Sequence, residues 1–232
     1  MRDMKELETL NIDSEDFEDI LGKLQDSFKF EFSDYEIENL ITIDQLADRV
    51  ISRLNYKEGE ECTSQIVFYK LRKHLTDKLK ISDKELLPKT RLRDLFQRKG
   101  RRQLWDDVFA EFYVKIPKLT PPGYVILTLI LSFIASVIVM FSSNFIIGLL
   151  LFATSWIGWK LSNRYGKSFP VNDLGELAEK LSSENYIDSR KYKQTINIPE
   201  IKRLVYDMIV DWQSEEDKKI ISMNTQLDYV GQ

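Results

Sequence analysis

The sequence predicts an all-α protein that carries a two-helix transmembrane hairpin. Three observations lead there. Residues 119–159 contain no charged side chain across 41 positions, about twice the roughly 20 apolar residues one spanning helix needs. Outside that stretch, apolar residues recur every three or four positions, as on helices with one buried face. No alternating segments form a clear strand pair.

Each element has a local reason. Phe17, Ile20, Leu21, Leu24 and Phe28 make one helical apolar face, and Phe30 and Phe32 follow in a short extended stretch. Thr42-Ile43-Asp44-Gln45 is a capping-box pattern, with Thr42 as N-cap. Leu46, Val50 and Leu54 continue the face of that helix. Residues 55–61 are a polar linker containing Gly59. A long helix is expected over about 64–80, where Val67, Leu71, Leu75 and Leu79 fall four apart. Pro88 marks a loop, 92–96 a helical turn and 102–112 another helix. Pro121-Pro122-Gly123 ends whatever precedes the apolar stretch.

The apolar stretch divides at Ser142-Ser143-Asn144 into helices over about 124–141 and 145–161. Beyond it come a helix over 171–181, a polar linker over 182–197 and a last helix to about Trp212 that opens with Pro199. Arg98, Lys99, Arg101, Arg102, Lys115 and Lys118 stand before the hairpin, and Lys160, Arg164 and Lys167 after it. The positive-inside rule therefore places both termini in the cytoplasm and the turn outside. Tyr124, Trp156 and Trp159 sit where interfacial aromatics are expected. Gly148, Gly158, Ser132, Ala135 and Ser136 suit close packing between the helices and equally read as ordinary membrane-helix residues, which is the preferred reading.

Composition excludes several classes. One cysteine, Cys62, cannot close an intrachain disulfide, and one cysteine with one histidine, His74, cannot build a Cys/His zinc site. A Ser-His-Asp triad would need His74, and no nucleophile-elbow pattern exists. His74, on a Lys/Arg-rich helix, reads as a surface or boundary residue. No glycine-rich phosphate loop occurs. The net charge of −4 gives no general pull toward nucleic acid. The acidic, mixed N-terminus is not a secretory signal. The chain is expected not to be an enzyme, and to have no nucleic-acid partner.

A resemblance then emerges. Ile12-Asp13-Ser14 opens a helix, and fourteen residues after Ser14 comes Phe28, then Phe30-Glu31-Phe32-Ser33-Asp34 and Leu40-Ile41-Thr42-Ile43 before the next helix. This order and spacing, over residues 11–54, resembles the acyl carrier protein family. The resemblance implies acyl-carrier-like helical bundle modules. It also implies that Ser14, preceded by Asp13, is the attachment point of 4'-phosphopantetheine, the family's carrier of acyl groups. Glu15 stands where the family has Leu, and only thirteen residues precede Ser14 where the family has a long helix. From the residues alone, Asp13 or Ser14 can instead be a helix N-cap.

Two further segments resemble the same family. Residues 81–95, with 104–112 and Lys115-Ile116-Pro117, look like a second, degenerate module. Its carrier position, fourteen before Phe112, is Arg98. The hairpin is then an insertion, and 169–182 completes that module. Residues 204–212 resemble the missing first helix, and 221–231 the loop leading to a carrier Ser. The expected organisation is a first module over 1–55 completed by 199–232, a second over 62–118 completed by 169–182, and the hairpin over 124–161. The first module is thus expected to be circularly permuted.

Two charged clusters invite readings. Asp16, Glu18, Asp19, Glu31, Asp34, Glu36 and Glu38 form an acidic cluster of the kind the family turns toward basic enzymes, and equally a solvated face. Arg91, Arg93, Arg98, Lys99, Arg101 and Arg102 form a basic cluster near the hairpin. Arg98, Lys99, Arg101 and Arg102 are expected at the membrane surface, with the lipid bilayer as partner. The functional expectation is a membrane-anchored, non-catalytic docking or adaptor protein for acyl- or lipid-handling enzymes of lipid metabolism. The alternatives are a working acyl carrier modified on Ser14 and a structural subunit of a membrane complex.

Overall fold

The structure is a computed structural model that describes residues 9–38, 42–142, 144–211, 213, 218 and 220–230. It is all-α, as expected, with eleven α-helices among the described residues. The chain forms two units, one of residues 1–71 with 178–232 and one of residues 72–177.

The first unit opens with strand β1 (Thr9–Asp13), followed by α1 (Ser14–Phe28), α2 (Asp34–Glu38) and α3 (Ile43–Leu54). Asp13 caps α1 by accepting from the Glu15 N–H, and Lys29 ends it in the left-handed region at φ 58°. The capping box of α3 is present, with Thr42 and Gln45 each bonded to the other's backbone. Strand β2 (Lys57–Glu58) leads to α4 (Thr63–Leu79), within which the first unit gives way to the second. The chain re-enters the first unit within α9 (Leu174–Glu184) and continues through α10 (Tyr186–Ser189), β3 (Thr195–Ile196), α11 (Ile198–Val210) and β4 (Gln226–Val230).

Helices α1, α3 and α11 bury their apolar faces in one core, where Ile20, Leu24, Ile43, Leu46, Ile201 and Val205 are fully enclosed. Two expectations are corrected. Strands do pair: β1 runs parallel to β4 from Thr9↔Gln226 to Asp13↔Val230, and β2 parallel to β3. The segment 182–197 is not a simple polar linker, because Tyr186, Ile187, Ser189 and Arg190 are buried. The expected end of the last helix at Trp212, the Leu40-Ile41 part of the family pattern, Ser143 of the hairpin turn and Gly231 lie outside the described residues.

The second unit contains the rest of α4, a 3-10 turn (Asp83–Glu85), α5 (Leu92–Leu95), α6 (Arg101–Phe109), α7 (Gly123–Ser142), α8 (Phe145–Tyr165) and the start of α9. Phe96, Trp105, Phe109 and Phe169 form an aromatic cluster with ring centroids 4.7–6.1 Å apart. Trp105 Nε1 donates to the Pro117 carbonyl at 3.3 Å, which satisfies its one polar atom. After the hairpin the chain returns to the loop between the 3-10 turn and α5. The Leu174 N–H donates to the Thr90 carbonyl, and the Gly175 N–H to that of Pro88.

α7 and α8 are long and apolar enough to span a membrane, with mean hydropathy 2.7 and 1.5. Only 6% and 11% of their apolar windows are buried, so most of their apolar surface is uncovered. Asn144 caps α8 by accepting from the N–H groups of Ile146 and Ile147. The small residues prove not to be neutral. A Cβ on Gly148 would lie 2.4 Å from Met140 Cα, so α7 and α8 meet there backbone to backbone. Ser132 and Ser155 hydrogen-bond between the helices at 2.8 Å. This is close packing through small residues.

Candidate functional site

Ser14 is the first residue of α1 and is exposed. The two local readings of the Asp13-Ser14 pair separate here. Asp13 Oδ1 accepts from the Glu15 N–H at 3.0 Å, so the capping role falls to Asp13. The Ser14 hydroxyl caps nothing and points to no partner among the described residues. Its accessibility and its place at the positive end of a helix suit a phosphodiester. Glu15 and Asp16 in the same turn work against one by like charge. A phosphopantetheine group would therefore be held by the Ser14 oxygen alone and would supply a thiol.

The acidic cluster is only partly a free surface. Glu18, Asp19 and Glu31 are exposed and Asp16 is half-buried. Glu36 is engaged locally. It accepts from the backbone N–H and hydroxyl of Ser33 at 2.9 and 2.8 Å and faces Arg53 at 3.5 Å. The Ser33 N–H, first, and its hydroxyl hold the Glu36 carboxyl below the usual carboxylate range. The side chains of Asp34 and Glu38 lie outside the described residues.

The C-terminal helix meets this module through charge as well as packing. Lys202 on α11 reaches Asp44 at 2.7 Å and Asp48 at 3.0 Å on α3. These two hydrogen bonds, Asp44 first, raise the Lys202 ammonium above its ordinary value. The N–H of Asp44, in the first turn of α3, donates to the Met223 carbonyl at 2.9 Å.

In the second unit Arg98, fourteen residues before Phe112, is exposed in the turn before α6. The basic cluster divides by role. Arg101 donates to the carbonyls of Phe96 and Lys167 and lies over the Phe169 ring at 4.6 Å. Arg102 donates to the Asn163 carbonyl and faces Asp106 at 3.9 Å. Arg93 faces Asp94 at 3.8 Å, and Arg91 forms a backbone bridge with Asp173. Arg98 and Lys99 are exposed.

Cys62 and His74, twelve positions apart, fall in different units. Cys62 is exposed, 3.1 Å from the Ser64 hydroxyl. His74 is half-buried, its Nε2 2.7 Å from the Val108 carbonyl and its ring between Phe109 and Phe112. No group of His, Cys, Asp and Glu suited to a metal ion occurs among the described residues.

Sequence reading missed one polar cluster. Arg190 is enclosed, donates to the carbonyls of Glu61 and Thr195 and the hydroxyls of Thr63 and Thr195, and lies 3.8 Å from Glu200. Glu200 accepts from the Thr63 N–H and hydroxyl at the start of α4. Nothing in the local pattern of 182–197 marks Arg190 as buried. No family model, curated protein or solved structure matches this chain.

Proposed function

We propose that this is a membrane-anchored, non-catalytic docking protein built on acyl-carrier-like modules. Helices α7 and α8 cross the bilayer, both termini lie in the cytoplasm, and the modules recruit acyl- or lipid-handling enzymes to that surface. The observation that supports this best is the packing of α11 onto α3 within the core that α1 shares. A long helix from the far end of the chain stands beside the two helices that carry the family pattern, as the permuted module requires. The position occupied by Arg98 in the second module favours docking over carriage there.

One observation favours the second reading, a working carrier. The Ser14 hydroxyl is exposed and Asp13 has taken over the cap. The test is the intact mass of the full-length protein, co-expressed with a broad-specificity phosphopantetheinyl transferase and extracted in detergent. An unmodified mass is expected. A phosphopantetheine-sized increment that disappears in Ser14→Ala would make the protein a carrier instead. Failure of the unmodified protein to retain any purified acyl-carrier-handling enzyme would leave a structural membrane subunit.

A further inference from the structure

At the base of the hairpin several cations are brought together and left without acidic partners. The Thr120 and Ser168 backbones exchange two hydrogen bonds of 2.9 Å. A Cβ on Gly166 would lie 2.4 Å from the Thr120 carbonyl carbon. The chain therefore enters α7 and leaves α8 at one place. Arg101 and Arg102 tie the start of α6 there too, through the carbonyls of Lys167 and Asn163 at 2.9 Å each.

This gathers Arg98, Lys99, Arg164 and Lys167 at one end of the hairpin. All four are exposed, and none forms an ion pair among the described residues. Elsewhere in the unit, Lys78 and Arg93 do find carboxylates. Between Glu111 and Asp173 the sequence has five Lys or Arg and no acid, and the acid nearest in the fold, Asp106, faces Arg102 at 3.9 Å rather than any of the four. Arg101 is lowered from its ordinary value by burial first and by neighbouring Arg98 second. Trp156, Trp159 and Tyr165 are exposed on the same half of α8, and such aromatics mark headgroup depth.

We propose that Arg98, Lys99, Arg164 and Lys167 form a binding collar for the phosphates of anionic phospholipid headgroups, in the leaflet where the hairpin enters and leaves. This rests on the reading that α7 and α8 span a bilayer. Arg101 and Arg102 are positioning residues that hold the collar together through carbonyls. Charge complementarity selects the occupant: basic residues near an anionic leaflet gain markedly from it, and the gain is screened by salt.

The test uses full-length protein in phosphatidylcholine vesicles that contain brominated phosphatidylglycerol or, in parallel, brominated phosphatidylcholine at the same mole fraction. Quenching of Trp156 and Trp159 reports which lipid sits beside the hairpin. The collar predicts a preference for phosphatidylglycerol of about fivefold or more, reduced by added salt. It predicts equal quenching by both lipids in the Arg98→Gln/Lys99→Gln/Arg164→Gln/Lys167→Gln variant. The Arg164→Gln/Lys167→Gln pair, with α6 untouched, should lose part of the preference. Equal quenching in the unaltered protein, or a preference that survives all four substitutions, overturns the collar and leaves the spanning reading intact. No quenching by either lipid overturns both.

Discussion

Arg190 shows how a single side chain organises the first unit. Its guanidinium is 0% exposed and its ion-pair partner Glu200 11%. A charge removed from water this completely persists only where every donor finds an acceptor. The carbonyls and hydroxyls of two segments, residues 61–63 and Thr195, provide them, and Glu200 also caps the start of α4. Arg190→Met should destabilise the unit by about 2–3 kcal/mol, because it leaves the half-buried Glu200 carboxylate without its cation and strips the donors from the Glu61 and Thr195 carbonyls. Adding Glu200→Gln should cost less than the two single changes together. Denaturant unfolding of the full-length protein in detergent, followed by hydrogen exchange in α11, measures both. Strict additivity would mean that Arg190 acts by packing alone. None of this was legible in the sequence. Its partners Glu61 and Thr63 lie 129 and 127 positions away, and a buried polar residue has the same composition signature as an exposed one. Thr42, by contrast, was legible as a cap and the α1 cap was narrowed to Asp13 or Ser14, because such partners lie two or three residues on.

Helices are the scale at which the sequence spoke most clearly. The hairpin was visible because charge and hydropathy change sharply at its ends, and α3 because its capping box is local. What stayed hidden was how α7 faces α8, since hydropathy does not say which small residues point inward. Gly148 and Gly158 look alike in sequence and differ in the fold. At Gly148 an added methyl meets the Met140 backbone, whereas at Gly158 it meets only the tip of Leu129 at 3.0 Å. Gly148→Ala should therefore separate the helices at a cost of about 1–3 kcal/mol, and Gly158→Ala should be tolerated. Ser132 and Ser155, in contact between the helices, provide the readout. In a Cys62→Ser background, a Ser132→Cys/Ser155→Cys pair should form a disulfide in good yield. The yield should fall several-fold with Gly148→Ala and hold with Gly158→Ala. Equal yields would show that the close approach at Gly148 does not set the packing. The β1–β4 pair was missed for another reason. The alternation of Leu10 and Ile12 is a strand signal, but five residues are too few to stand out, and the partner strand begins at Gln226.

On the scale of the whole chain, the first unit is closed by its last third. Helix α11 contributes Ile201, Leu204, Val205, Ile209 and Val210 to the core. Strand β4 pairs along β1, and the carbonyls of Met223 and Thr225 receive the first N–H groups of α3. Burial of one such aliphatic side chain is worth about 1.5–3 kcal/mol. Five of them therefore rival the ~5–15 kcal/mol by which an entire domain is stable. Residues 9–54 alone expose the opposing faces of α1 and α3 and are too small to compensate. Deleting residues 198–232 should then abolish hydrogen-exchange protection in α1 and α3. The second unit has its own aromatic cluster and a hairpin held by Gly148 and Ser132–Ser155. Its amides in α6, α7 and α8 should keep their protection in the same sample, which makes the retained signal an internal control for the lost one. If α1 and α3 stay protected after the deletion, α11 is an accessory to a module that folds without it. The permuted organisation would then be wrong, whatever the state of Ser14.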